Sequence, residues 1–419
     1  MQAHPDLIAL SAQTRKDVLR IAPGIWSAIG YGASNAHMVE GEHSVTIIDT
    51  TDSTTAAENI QSEFRKLTDK PIARIIYTHS HRDHISGATV FGEGRDVEIV
   101  ASHLFKSDLV DVDPNEIAAN KALMRRTKMQ FGIGLSSEER ISLGLGPGDR
   151  PMKGLGAGFL APTKRVEEDC DIDLDGISAR LIHAPGETAD HLVVWLPKEK
   201  ILFGGDNWYH AFPNLYAIRG TPYRDFQAWA DSLEQMAELG PEILAAGHHR
   251  PVFGAADIQE RLMSTREAIL HVMRETAAGM DQGRSLNDIC AELVLPSDLT
   301  EKPWLKEFYG KISWSARAFA AGTLGWYDGN PTNLGTLSDS KRAQHVADLA
   351  GGVDALKDVA KATNDKQWCL ELCDHLLALG EDASELKAAT MVELAESEIN
   401  ATARNTYFWE ARRLRGEIE

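Results

Sequence analysis

The sequence predicts a layered α/β domain with sheets at its centre, followed by an all-helical domain. Three observations predict it. From residue 21 to about residue 254, short apolar runs alternate with helical stretches. Beyond that point Ala and Leu recur at three- and four-residue spacing between short polar turns, the pattern of a helical array. The chain has 419 residues, too many for one ordinary core. The boundary is placed near residue 255, giving domains at 1–254 and 255–419.

In the first domain, strands are expected at 45–49, 72–77, 97–101, 179–183, 192–196, 201–203 and 243–246, each a short apolar run rich in β-branched residues. Helices are expected at 54–67, 115–126 and 223–239. The Gly-rich segment 131–162 follows neither period, and a loop that long inside a compact domain reads as a functional lid. In the second domain, helices are expected at 258–278, 305–324, 344–362, 365–379, 384–397 and 401–416. They read as hairpins of a loosely tetratricopeptide-like kind, without a clean repeat.

Composition excludes several classes. Hydrophobic residues make up 43% and charged residues 25%, as in soluble globular proteins. A formal net charge of −19 argues against nucleic acid or an anionic membrane as partner, so an anionic substrate needs locally placed cations. Four cysteines are too sparse for a disulfide framework, and Cys369 and Cys373 lie one helical turn apart in an apolar stripe. No apolar run reaches membrane-spanning length, and residues 1–20 lack the order of a signal peptide. The expected location is cytoplasmic.

The most informative stretch is His79-Ser-His81-Arg-Asp83-His84, directly after the apolar run at 72–77. Period-two spacing sends His79 and His81 to one side, and a turn at Arg82-Asp83 brings Asp83 and His84 to a second position. Two imidazoles can hold one ion, while a carboxylate and an imidazole begin another site. Three later strand ends carry further candidates: Glu187 after Pro-Gly, Asp206 after Gly-Gly, and His248-His249 after Ala-Ala-Gly. Singly, each is an ordinary turn or strand cap; in this order behind the cluster they read as a metal site on one rim of a sheet.

With these residues, residues 20–254 resemble the metallo-β-lactamase superfamily, an αββα sandwich carrying two metals at one edge. The resemblance implies that His79, His81 and Glu187 hold the first ion, that Asp83, His84 and His248 hold the second, and that Asp206 bridges both. Most relatives carry His where this chain has Glu187, and Glu there is a mark of the alkylsulfatases, which cleave sulfate esters of long-chain alcohols. Asn214-Leu-Tyr-Ala-Ile-Arg219-Gly220 resembles that family's run beside the metals, and His248-His249-Arg-Pro-Val-Phe-Gly254 resembles its His-His-x-Pro-Val-x-Gly. Leu324-Gly-Trp-Tyr-Asp-Gly-Asn-Pro-Thr-Asn-Leu334 resembles the signature of its helical dimerisation region, which implies a homodimer. Two departures stand out. Asp206, followed by Asn207, replaces the family's usual Glu before Asn, and the sequence ends at Glu419 where the family continues into a sterol-carrier-like domain.

The chemistry implied is hydrolysis of an alkyl sulfate ester with two Zn²⁺ per chain, a carboxylate-rich set that would also suit Mn²⁺ or Fe²⁺. The rival is a hydrolase of the same fold acting on a lactone, β-lactam, thioester or phosphodiester. Asp83, Glu187 and Asp206 together with a hydroxide balance the charge of two divalent ions, so Glu187 makes the first metal a weaker Lewis acid than His would. Arg219 supplies the two-pronged grip that suits a tetrahedral oxyanion, with Asn214 and Asn207 as neutral donors. His249 is expected to hold a ligand in place or to act as general acid. The helical half offers no catalytic constellation. Its aromatics Trp304, Tyr309, Trp314, Phe319, Trp326 and Tyr327 are read as core, subunit interface or channel wall.

Overall fold

The structure, a computed structural model, describes residues 2–107 and 120–418. The first sheet contains β1 (Asp17–Ala22), β2 (Ile25–Ile29), β3 (Ala36–Glu40), β4 (Val45–Ile48), β5 (Ile72–Ile76), β6 (Glu98–Ser102) and β7 (Lys164–Val166), side by side in chain order. It is antiparallel from β1 to β4 and parallel from β4 to β7. The second sheet contains β8 (Cys170–Asp173), β9 (Ser178–His183), β10 (Leu192–Leu196), β11 (Ile201–Gly205), β12 (Ile243–Ala246) and β13 (Val252–Phe253), again in chain order. Only β11 and β12 run parallel within it.

Strand periodicity sorts the side chains into layers. Ile48, Ile76 and Val100 meet Leu181, Val194, Phe203 and Ala245 between the two sheets. Their neighbours Ile47, Ile75 and Ile99 face outward, under Ala57, Ile60 and Phe64 of helix Thr54–Phe64. The other outer layer packs Trp229, Leu233 and Met236 of helix Phe226–Glu238 over Val193, Leu202 and Leu244. This is the expected αββα sandwich. Because the central strands are buried on both faces they read as continuous apolar runs, which is why β4, β10, β11 and β12 were legible.

The helical domain opens with helix Ala255–Asp281, whose Ile258, Leu262 and Ile269 sink into the same core as Trp229 and Leu244. The helix expected at 305–324 is Ile312–Leu324, preceded by a single turn at Pro303–Leu305. One helix expected at 344–362 is two, Asp339–Ala350 and Val353–Ala362. Gly351 and Gly352, at φ +96° and +116°, break it with a conformation that side-chain-bearing residues rarely adopt. Helices Lys366–Ala378, Ser384–Ser397 and Ala401–Leu414 follow. The helix expected at 115–126 is found at Asn120–Gln130, and residues 115–119 lie outside the described residues.

The segment read as a lid is tied down by the last helix. Arg404 Nε donates to the Glu139 carbonyl (3.2 Å), Trp409 Nε1 to Ile133 (3.2 Å), and Arg412 pairs with Glu139 at 2.7 Å. All four cysteines are free. Among the described residues, no helix is long and apolar enough to cross a membrane.

Candidate metal centre

The site forms where β5, β9, β11 and β12 end on one rim. After β5 the chain passes His79 and His81, then makes the one-turn helix Arg82–Ile85 that carries Asp83 and His84. Glu187 lies in the β9–β10 loop, Asp206 directly follows β11, and His248 follows β12. Two groups have ligand atoms within 4.8 Å of one another: His79, His81 and Asp206, and Asp83, His84 and His248. Asp206 reaches both, with Oδ2 3.7 Å from His79 Nε2 and 3.1 Å from His248 Nε2, and Oδ1 3.3 Å from His84 Nε2. Glu187 stands beside the first group, its Oε1 3.7 Å from His81 Nδ1. The backbone approaches closely. A Cβ on Gly247 would sit 2.4 Å from Asp206 Oδ1, and one on Gly205 would sit 2.4 Å from His191 Nε2.

Three imidazoles are anchored through the nitrogen that faces away from the cluster. His84 Nδ1 lies 2.8 Å from Asp49 Oδ2, His248 Nδ1 2.9 Å from the Ala33 carbonyl, and His79 Nδ1 3.0 Å from Thr78 Oγ1. Thr78 in turn donates its hydroxyl and its backbone N–H to Asp49, both at 2.8 Å. Each ring therefore carries its proton on Nδ1 and turns a bare Nε2 inward, the tautomer a metal requires. His79 Nε2 and His81 Nδ1 then stand 3.0 Å apart, two lone-pair atoms that need a cation or proton between them. Among the described residues, His84 Nε2, Glu187 Oε2 and Asp206 Oδ1 are buried without a hydrogen-bond partner. Buried polar atoms are almost always satisfied, so this donor set fits divalent metal ions.

The carboxylates draw positive charge into the cluster, as a proton or as a metal ion. Burial keeps His79 and His81 well below the usual imidazole range, and the Arg219 and Arg224 guanidiniums push His81 further down. Burial likewise disfavours charge on His84, but Asp206, Asp49 and Asp83 outweigh it and hold His84 well above that range. Burial pushes Glu187 up to about 7 in spite of Arg224. Burial also opposes charge on Asp206, yet His248 and His84 hold it well below the carboxylate range.

Asn214 is buried and fixed by its backbone, its N–H donating to Tyr209 Oη (2.7 Å) and its carbonyl accepting from Arg224. Arg219 is half-buried, with its N–H on Gln130 Oε1 at 2.9 Å. Asn207 donates its amide to the Ala184 carbonyl (2.7 Å) and braces the turn at Gly186. His249, at φ +65°, accepts from the His210 N–H through Nδ1 (2.9 Å), and its ring packs near His210 rather than among the clustered ligands. Sequence reasoning missed Asp49, His191, Arg224 and the site role of Tyr309. His191 Nε2 accepts the Asp206 N–H at 3.0 Å. Tyr309, from the helical domain, is buried with its ring 5.9 Å from Tyr209 and feels the charges of Glu187, Arg219 and Arg224. Arg224 Nη1 pairs with Glu187 Oε1 at 3.0 Å.

An αββα sandwich with two linked imidazole–carboxylate clusters on one rim defines a class of metal-dependent hydrolases. The model of the metallo-beta-lactamase superfamily matches residues 29–248, and the chain belongs to that superfamily. Within it, the chain is similar to alkylsulfatases. The model for alkyl sulfatase dimerisation matches residues 285–417. A linear primary-alkylsulfatase from Pseudomonas sp. is 29% identical over 91% of this chain and 74% of its own length. An alkyl/aryl-sulfatase from Saccharomyces cerevisiae is 30% identical over 95% of this chain and 64% of its own length. The structure of Pisa1, a stereoselective inverting sec-alkylsulfatase from Pseudomonas sp., superposes with a TM-score of 0.88 at 26% identity, covering 100% of this chain and 68% of that one. The chain thus spans about two thirds to three quarters of the length of these relatives.

Proposed function

We propose that this protein hydrolyses alkyl sulfate esters to an alcohol and inorganic sulfate, with two divalent ions per chain, zinc foremost. The observation that carries the reading is the union of two His/carboxylate clusters through Asp206 with two guanidiniums, Arg219 and Arg224, whose charge is felt at His81. His79, His81 and Glu187 would hold one ion, Asp83, His84 and His248 the other, and Asp206 both. Bound there, the ions would supply an acidified water and an electrophilic pull on the ester.

The protein's own groups do the rest. Asp49 fixes His84 directly and His79 through Thr78, so the ligand geometry is built before substrate arrives. Asp83 is the most open of the clustered carboxylates, its side chain 27% exposed against 3% for Glu187 and Asp206, and marks the side from which substrate and water enter. Arg219 and Asn214 receive the sulfate head, and Asn207 holds the Glu187 turn. His249 presents its bare Nδ1 to the His210 N–H, and we assign it to positioning the Trp208–His210 segment beside Asp206. We place the broken bond between carbon and oxygen. A neighbour in structure is named as inverting, and inversion at carbon is what attack on carbon produces. The helical domain would join two copies: Leu324, Trp326 and Leu334 are 67%, 79% and 65% exposed, an apolar surface that suits an interface.

Asp206, the shorter bridge of the wider superfamily, favours a second reading as a lactone, β-lactam, thioester or phosphodiester hydrolase. A substrate panel with purified, metal-loaded protein separates the two. Release of sulfate from alkyl sulfates is expected; inert sulfates with turnover of a lactone or phosphodiester would replace the first reading by the second. Elemental analysis of the same protein should find two ions per chain, and one or fewer would refute the dinuclear arrangement.

A further inference from the structure

Arg224 stands one residue before Asp225, which caps helix Phe226–Glu238 by accepting from the Ala228 N–H at 3.0 Å. Its side chain is 2% exposed, as buried as a core leucine. One of its nitrogens, Nη1, is fully engaged: it meets Glu187 Oε1 at 3.0 Å and donates to the Asn214 carbonyl. The other two, Nε and Nη2, are buried with no acceptor anywhere among the described residues. A guanidinium is a planar fork of five N–H donors, and leaving two edges of it buried and unmatched costs stability that native proteins avoid unless a ligand completes the set. If the only duty of Arg224 were to neutralise Glu187, one edge would suffice and a lysine would serve as well.

We propose that Arg224 is a second guanidinium of the sulfate subsite, acting with Arg219 and fitted to the sulfate dianion rather than to the singly charged ester. The inference rests on the reading of the protein as a sulfate-ester hydrolase. In that reaction the water oxygen forms the new bond to carbon and gives up a proton. The electron pair of the broken C–O bond stays on the sulfate oxygen. The head group therefore passes from one negative charge to two as the bond breaks. A single arginine matches the ester, and the second matches the charge that develops. Its contribution is larger in the transition state than in the bound substrate, so it bears on kcat more than on KM. Arg224 also answers the charge of Glu187, so a carboxylate in that position need not weaken the pull on an anionic substrate.

The test titrates inorganic sulfate calorimetrically into the full-length, metal-loaded protein and its Arg224→Lys and Arg224→Gln variants, with metal content and melting temperature measured in parallel. Arg224→Lys keeps a positive charge beside Glu187 but loses the unmatched edges of the fork. It is expected to retain both metals and near-parental melting while binding sulfate roughly 10- to 100-fold more weakly, the worth of one charge-assisted hydrogen bond. Arg224→Gln should weaken sulfate at least as much, and both variants should lower kcat on an alkyl sulfate with KM little changed. Sulfate affinity equal to the parent in Arg224→Lys would overturn the proposal and leave Arg224 as a counter-ion of Glu187. Weaker sulfate binding that appears only together with lost metal would overturn it too. A parent protein that binds sulfate through Arg224 yet cleaves no sulfate ester would uphold the subsite and refute the hydrolase reading.

Discussion

Asp49 holds two parts of the site at once: its carboxylate takes the His84 ring nitrogen and both donors of Thr78, which in turn anchors His79. An Asp49→Asn variant keeps the shape but loses the charge that keeps His84 in its metal-binding tautomer. Metal affinity should fall roughly 10- to 100-fold, read by competition with a chelating dye, while the fold is retained. Unchanged affinity would show that the tautomer is set elsewhere. Seven ligand candidates were legible in sequence because each closes an apolar strand, and four of them share one short motif. Asp49 was not, because an Asp at a strand end signals nothing until a partner 35 residues away is folded against it. Arg224 and Tyr309 were hidden for the same reason: a lone cation in a loop and an aromatic in a helical region carry no local signal. His37 shows the cost of burial at this scale. It lies within the sandwich against Ser27 Oγ (2.8 Å), and burial pulls it down to about 4. The unfolded chain takes up this proton near the ordinary value of 6.5, the folded one only near 4. The stabilisation is therefore complete above the unfolded value and is lost as pH falls through that window, by about 3 kcal/mol. Urea unfolding at neutral and acid pH should show a His37→Gln variant losing less stability than its parent; equal losses would clear His37 of the effect.

At the scale of elements, the buried central strands were readable as continuous apolar runs, whereas β1 to β3 were not anticipated. Arg20, Ser27 and His37 interrupt their apolar pattern, and their pairing as an antiparallel meander is a tertiary fact. Helices were placed well where a polar cap preceded an apolar stripe, and mis-joined where two glycines broke a stripe that otherwise continued. The segment 131–162 lacks periodicity because its order comes from the last helix, through Arg404, Trp409 and Arg412. The joint between domains is sharpest at Gly310. Its N–H donates to the Phe212 carbonyl (3.1 Å), and a Cβ there would lie 2.1 Å from the Pro213 carbonyl oxygen. Backbone cannot yield as a flexible side chain can, so Gly310→Ala should push the helical domain off the Asn214–Arg219 run. A stability loss of about 1–3 kcal/mol should come with a fall in turnover greater than the loss of folded protein explains. A variant with parental turnover and melting would show that this joint is slack.

For the whole molecule, helix Ala255–Asp281 links the two halves, since it covers Trp229 and Leu244 of the sandwich while opening the helical array. We propose the division at residues 254 and 255 as one of chain segments, and a cut there should expose an apolar face. Residues 1–254 alone should aggregate, and a soluble, active, monomeric fragment on a sizing column would contradict this. The defining property proposed for this molecule is that its site takes a sulfate ester and breaks its C–O bond. Hydrolysis of a chiral secondary alkyl sulfate in oxygen-18 water, with mass analysis of both products, tests it most directly. The label is predicted in the alcohol, inverted at its carbon, with unlabelled sulfate released. Label in the sulfate would contradict the bond assignment, and the absence of either product from any sulfate ester would contradict the function itself.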